Sequence, residues 1–170
     1  WVPEGPEGAR AYVERALAGE QAGFELVFAT VDVGAGRVVG STRFTQMETW
    51  EWPPGHPWQR HGVPDVAEIG FTWLAPSAQR TGINGEAKLL MLTHAFEQWK
   101  LLRVVLRTDR RNQRSQAAMR GIGATYEGMR RADRPGADGT VRDSVFYSIV
   151  AAEWPAVRDQ LRARLYGDDA

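Results

Sequence analysis

The chain has 170 residues, 43% hydrophobic and 25% charged, which is enough for one domain with a sizeable core. Basic and acidic residues balance at 21 each, so the whole molecule carries no bias toward nucleic acid or a membrane surface. The absence of cysteine excludes a disulfide framework, a thiolate nucleophile and zinc-finger spacing, and no apolar run approaches the roughly 20 residues that span a bilayer.

No signal-peptide pattern opens the chain, and the expected location is the cytoplasm. The first residue is Trp1 rather than Met, which reads as a fragment, a processed product or an unrecorded start. Between Pro3 and Gly23, Tyr12, Val13, Ala16 and Leu17 fall on one face of a predicted helix. Phe24 to Asp32 reads as a strand, Gly34-Ala35-Gly36 as a tight turn and Arg37 to Gln46 as the hairpin partner. Residues 47–65 are irregular, with four prolines that exclude a long helix. Their Trp50, Trp52 and Trp58 argue against disorder and suggest either a loop over the core or a pocket wall. His56 and His61 have no obvious third ligand, so no metal site is expected.

Val66 to Leu74 is rich in β-branched and aromatic residues and reads as the central strand, ended by Pro76. Gln79 to Gly85 follows as a glycine-bearing loop that opens a helix. Free N–H groups and the positive end of a helix dipole converge at such a place, which makes it an anion site. That helix runs from about Gly85 to Lys100, with Leu89, Leu92, Phe96 and Trp99 as its core stripe. His94 within it reads as structural. Leu102 to Thr108 is a strand, Asn112 to Ile122 a short helix, Ala124 to Ala132 and Val141 to Val150 strands, and Glu153 to Tyr166 the last helix. Residues 100–134 hold ten basic and three acidic residues. They read as a solvated basic face, as a funnel for a phosphorylated ligand or, more weakly, as an RNA patch. Six strands and about four helices in mixed order make an α/β or α+β domain, and residues 1–170 read as one unit.

Two motifs carry a family resemblance. Gln79-Arg80-Thr81-Gly82-Ile83-Asn84 resembles the Gln/Arg-x-x-Gly-x-Gly/Ala pyrophosphate loop of the GCN5-related N-acetyltransferases, with Asn84 departing from the pattern and Gly85 following at once. Asn112-Gln-Arg-Ser115 through Gly123-Ala124 is similar to the Asn-x-x-Ser segment of the RimJ/RimL branch, the ribosomal-protein N-acetyltransferases. The resemblance implies that family's fold, a mixed central sheet flanked by helices. A first strand and first helix of the family pattern would precede Trp1.

The resemblance also implies acetyl-CoA as co-substrate, with no metal. Gln79, Arg80, Thr81, Gly82, Ile83, Asn84 and Gly85 would hold the pyrophosphate. Asn112 and Ser115 would lie along the pantetheine arm, and basic residues near 110–114, Arg114 among them, at the 3′-phosphate. Thr72, Trp73 and Leu74 would line the donor groove. The central strand would bulge and splay, freeing N–H groups for an oxyanion, with Gly70 permitting the distortion. Glu68, eleven residues before Gln79, takes the place of the general base. Apolar Ile69, Phe71 and Trp73 beside it would raise its pKa. The alternative for Glu68 is a structural or acceptor-orienting carboxylate.

Many relatives carry a tyrosine as general acid seven residues after the asparagine, where this chain has Met119. Ser115 is the substitute, with Tyr126 and Tyr147 as weaker candidates. The expected activity is transfer of an acetyl group to a primary amine, either a protein N-terminus or a small molecule. Trp50, Trp52 and Glu68 would stand on the acceptor side. No membrane or nucleic-acid partner is expected, and a homodimer is compatible with the reading. The alternatives are a non-catalytic acyl-CoA-binding module and an RNA-associated protein.

Overall fold

A computed structural model describes residues 4–60 and 62–167, so His61 lies outside the described residues. Helix α1 (Gly5–Gln21) carries a proline in its first turn, where a missing N–H costs nothing. Strands β1 (Leu26–Asp32) and β2 (Arg37–Glu48) form the expected hairpin, closed where Asp32 Oδ1 accepts the Ala35 N–H at 3.0 Å. After the irregular segment comes β3 (Val66–Leu74), then helix α2 (Ile83–Thr93), which continues into a π turn (His94–Gln98). Strand β4 (Arg103–Asp109), helix α3 (Gln113–Gly121), strands β5 (Thr125–Pro135) and β6 (Val141–Val150), and helix α4 (Trp154–Tyr166) complete the order.

The six strands form one sheet in the order β1-β2-β3-β4-β6-β5. Every neighbouring pair is antiparallel except β3 and β4, and α2 supplies the crossover that a parallel pair requires. That parallel pairing is short. Val66, Ala67 and Glu68 pair with Arg103, Val104 and Val105, after which the two strands part. A fork therefore opens in the middle of the sheet, on the C-terminal side of Glu68.

Strand alternation assigns the two faces of the sheet. Ala67, Ile69, Val104, Leu106, Val145, Tyr147 and Ile149 point to the face covered by α2, α3 and α4, and join Leu92, Phe96, Met119 and Leu161 in the core. Each such large side chain contributes about 1.5–3 kcal/mol on burial, so this face holds the fold together. The other face is divided. Its β1–β3 half is covered by α1, whose Tyr12 donates to the Phe71 carbonyl at 3.3 Å and meets Trp73 edge-on. Its β3–β5 half is left without a described helix.

Two local expectations are corrected. Only Tyr12 and Ala16 of the α1 stripe are buried, while Val13 and Leu17 are about half exposed. The helix touches the sheet along one narrow line of residues spaced four apart. The β3 bulge does occur, as a register shift opposite Ser41–Arg43, but the residue with positive φ is Phe71 (52°) and not Gly70. Gly70 serves differently, because a Cβ there would lie 3.1 Å from Glu68 Oε1. Its glycine makes room for the carboxylate.

Candidate active site

The loop before α2 leaves a run of backbone donors without acceptors. Arg80 (φ 63°) and Gly82 (φ 90°) are left-handed, and Gly82 is the N-cap. The first loop-to-helix bond runs from the Glu86 N–H to the Gly82 carbonyl at 3.0 Å. Among the described residues, the N–H groups of residues 80–85 find no acceptor. Six free donors at a helix N-terminus are an unsatisfied set that an anionic ligand would complete. Gly85 is buried, and a Cβ there would lie 3.1 Å from Leu165 Cδ2, so packing against α4 favours glycine at this position. Asn84 Oδ1 is buried with no partner among the described residues, a further unsatisfied polar atom at the same place.

Helix α3 begins beside this loop. Arg114 Nη1 donates to Gln79 Oε1 at 3.1 Å, and Gln79 Nε2 donates to the Leu74 carbonyl at 3.0 Å. The end of β3, the loop and the start of α3 are thus joined through two predicted site residues. Asn112 caps α3, its Oδ1 accepting the Ser115 N–H at 3.0 Å, while the Ser115 hydroxyl has no partner among the described residues. Thr72 Oγ1 is bonded to Lys88 Nζ at 2.7 Å, and Trp73 packs on Tyr12. Of the basic residues near 110–114, Arg110 is paired with Asp143, and Arg111 with Asp109 and Asp138. Arg114 alone of the three has no carboxylate partner among the described residues and keeps its charge available.

Glu68 points to the opposite, helix-free face, into an open cavity of about 410 Å³. Gln46, Glu48, Arg103, Arg107, Met129 and Phe146 stand around it. Glu68 is buried, and Arg107 Nη2 lies 2.7 Å from its Oε2. Burial pushes its pKa above the ordinary carboxylate value, and the Arg107 charge works against that rise without cancelling it. The result is a carboxylate with increased proton affinity at the floor of a cavity beside the fork.

The remaining sequence candidates separate clearly. Met119 is buried in the core beneath α3. The Tyr147 hydroxyl is buried and committed, accepting from Arg120 at 2.8 Å and donating to Gln116 Oε1 at 3.2 Å. Tyr126 is exposed on β5. Ser115 is therefore the hydroxyl near the loop that is left free among the described residues. Neither Trp50 nor Trp52 lines the cavity. Trp50 stands at its rim, its Nε1 3.4 Å from the cavity residue Glu48, while Trp52 stacks on His56 at 4.6 Å. Asp65 holds both, accepting from the Trp50 N–H at 2.8 Å and Trp52 Nε1 at 3.3 Å. Sequence reading missed Asp65 and Arg107, since each acts through partners distant along the chain. No cluster of metal-binding side chains occurs among the described residues.

Comparison with known proteins gives a consistent result. Residues 1–125 match the family model described as an acetyltransferase (GNAT) domain. Over 88 residues the chain is 36% identical to the Bacillus subtilis (strain 168) protein named "Putative ribosomal N-acetyltransferase YdaF", a match that takes in 52% of this chain and 47% of that relative. The chain thus aligns over about half the length of that curated relative. A solved structure from T. thermophilus, described as a "putative acetyltransferase", is 34% identical with a TM-score of 0.77, covering 97% of this chain and 79% of the other. Mycobacterium smegmatis RimJ in complex with CoA-disulfide has the same fold at 23% identity and a TM-score of 0.72, covering 96% of this chain and 76% of its own.

Proposed function

The chain belongs to the acetyltransferase (GNAT) domain family, and from that premise we propose that it is an acetyl-CoA-dependent N-acetyltransferase of the RimJ/RimL-like kind. Its acceptor is a primary amine, a protein N-terminus or a small molecule. The observation that carries this reading is the fork between β3 and β4, with a loop of unpaired N–H groups on one side and a buried carboxylate on the other.

Acetyl-CoA, when bound, supplies an acetyl group activated as a thioester. The free N–H groups of residues 80–85 suit its pyrophosphate, and the Arg114 charge suits its 3′-phosphate. The edge of β3 beyond its pairing with β4, at Thr72, Trp73 and Leu74, and the Asn112 and Ser115 side chains at the start of α3 suit the polar pantetheine arm. An amine acceptor arrives mostly as ammonium, since an α-amine has a pKa near 8 and an alkylamine near 10. Glu68 takes its proton, directly or through water, and the proton affinity that burial raises in this carboxylate favours that transfer. Ser115 is the hydroxyl available to give a proton to the departing sulfur. A thiol of pKa about 8.5 also leaves as thiolate, so the lack of a tyrosine at position 119 slows release without preventing it.

The test is a thiol-release assay with acetyl-CoA against peptides beginning with Ala or Ser and against small amines. Glu68→Gln lowers turnover by about 10²–10⁴-fold and leaves the Kd for acetyl-CoA nearly unchanged. Unchanged turnover would remove Glu68 from the mechanism.

A further inference from the structure

Arg107 has a position that neither the motifs nor the family match draws attention to. The ladder between β3 and β4 ends at the pair Glu68↔Val105, and Arg107 is two residues further along β4, on the same face as Glu68. The Glu68–Arg107 ion pair (2.7 Å) is therefore a side-chain bridge across the fork, at the point where backbone hydrogen bonding stops. Both side chains are nearly enclosed, at 10% and 7% exposure.

The far side of Arg107 is held by Asp133, and the chain distorts to place it there. Between Arg130 and Arg134, strand β5 runs four residues against two on β6, with Arg130 opposite Ser144 and Arg134 opposite Arg142. Ala132, a non-glycine residue, takes φ 49°, and its N–H is caught by Asp143 Oδ1 at 2.9 Å. This irregularity turns the Asp133 side chain inward to 2% exposure, with its oxygens 3.7 Å from Arg107 Nη1, 3.1 Å from Arg130 and 3.0 Å from Arg134. Bulges of this kind re-aim a side chain. Here the re-aimed carboxylate meets one arm of a guanidinium whose other arm holds Glu68. A planar fork can serve two carboxylates at once, and a lysine cannot do so with the same geometry.

We propose that Arg107, anchored by Asp133, is a positioning residue that clamps Glu68 through Oε2 and leaves Oε1 as the atom that accepts the proton. Oε1 receives no hydrogen bond from the described residues, and Gly70 keeps the space beside it open. The other charged groups around Glu68 are Glu48 on β2, Arg103 on β4, Glu127, Arg130 and Arg134 on β5, and Arg142 on β6. Among the described cations, Arg107 is the one that bridges to it. Its charge opposes the effect of burial, so its removal must raise the proton affinity of Glu68 further. The assignment rests on Glu68 as the base, so the test reads the carboxylate apart from turnover.

The test is a ¹³C NMR titration of the glutamate carboxyls, with the Glu68 signal identified by its loss in Glu68→Gln. In Arg107→Gln the Glu68 midpoint moves up by about one pH unit or more, and Arg107→Lys recovers part of that shift. In the unaltered protein, the Arg107 side-chain ¹⁵N signal moves with the same midpoint as the Glu68 carboxyl, a readout that does not depend on any variant folding. With acetyl-CoA and an accepted amine, the acid limb of kcat/KM moves up with the NMR midpoint. A Glu68 midpoint unmoved in Arg107→Gln, or an Arg107 signal that ignores the Glu68 titration, overturns the assignment. A moved midpoint with an unmoved acid limb keeps the clamp and removes Glu68 as the base.

Discussion

Lys88 shows how much a single residue can cost in this fold. It is buried, and its Nζ donates to Thr42 Oγ1 at 3.0 Å and Thr72 Oγ1 at 2.7 Å, with no carboxylate bridge among the described residues. Burial pushes its pKa down from 10.5 to about 7. Between those values the unfolded chain binds a proton that the folded chain does not. Stability therefore rises with pH across this window, by up to about 1.4 kcal/mol per unit from this group. Lys88→Met leaves the Thr42–Thr72 hydroxyl pair (2.8 Å) in place. We expect the variant to be more stable than the original protein at pH 7, by a few kcal/mol, with the difference narrowing toward about pH 10. Urea denaturation at several pH values checks this, and equal pH dependence in both proteins would contradict it. At this scale the sequence was partly legible. The place of Glu68 on the central strand could be read because that strand and its spacing to Gln79 are local, while the role proposed for it came from the family resemblance. Arg107 and Asp133 could not, because their partners lie on other strands and Asp133 faces inward only through an irregularity that local propensity does not encode.

Elements were more legible than contacts, since periodicity and turn residues act over short stretches. The hairpin, the central strand, the loop and the four described α-helices follow from alternation, glycine placement and apolar spacing. The π turn at His94–Gln98 does not, because Phe96 and Trp99 continue the helical stripe while the backbone widens so that the Trp99 N–H reaches the His94 carbonyl at 3.0 Å. The irregular segment before β3 has an organising residue at its end. Asp65 is buried and is held ionised: burial would raise its pKa, but bonds from the Trp50 N–H, Trp52 and Arg60 outweigh that and lower it. Its backbone also bridges Glu48 and Leu102. Asp65→Ala should therefore loosen the whole segment, costing about 1–3 kcal/mol for the unsatisfied donors. The checks are denaturant unfolding and a red shift of tryptophan emission as Trp50 and Trp52 lose their anchor. Unchanged emission would mean the loop is held elsewhere.

For the molecule as a whole, the balance of charge seen in the composition is also a balance in space. Of the ten basic residues in 100–134, Arg103, Arg107, Arg110, Arg111, Arg130 and Arg134 pair with carboxylates, several from other strands. The segment that reads as a basic patch in one dimension is mostly an ion-pair network in three, which weakens the RNA reading. No described helix is long and apolar enough to cross a membrane. The sheet instead presents one coherent opening, between β3 and β4, with an unsatisfied loop beside it and a cavity into which Glu68 points. Acetyl-CoA is expected to bind at that opening, and a thermal melt with and without it is the direct test. At about 100 times its Kd the ligand adds roughly 2.7 kcal/mol, which for a chain of this length raises Tm by about 5–10 °C. That rise is expected with acetyl-CoA, and none with adenosine alone. A melt indifferent to acetyl-CoA, or a rise that adenosine reproduces in full, would contradict that expectation.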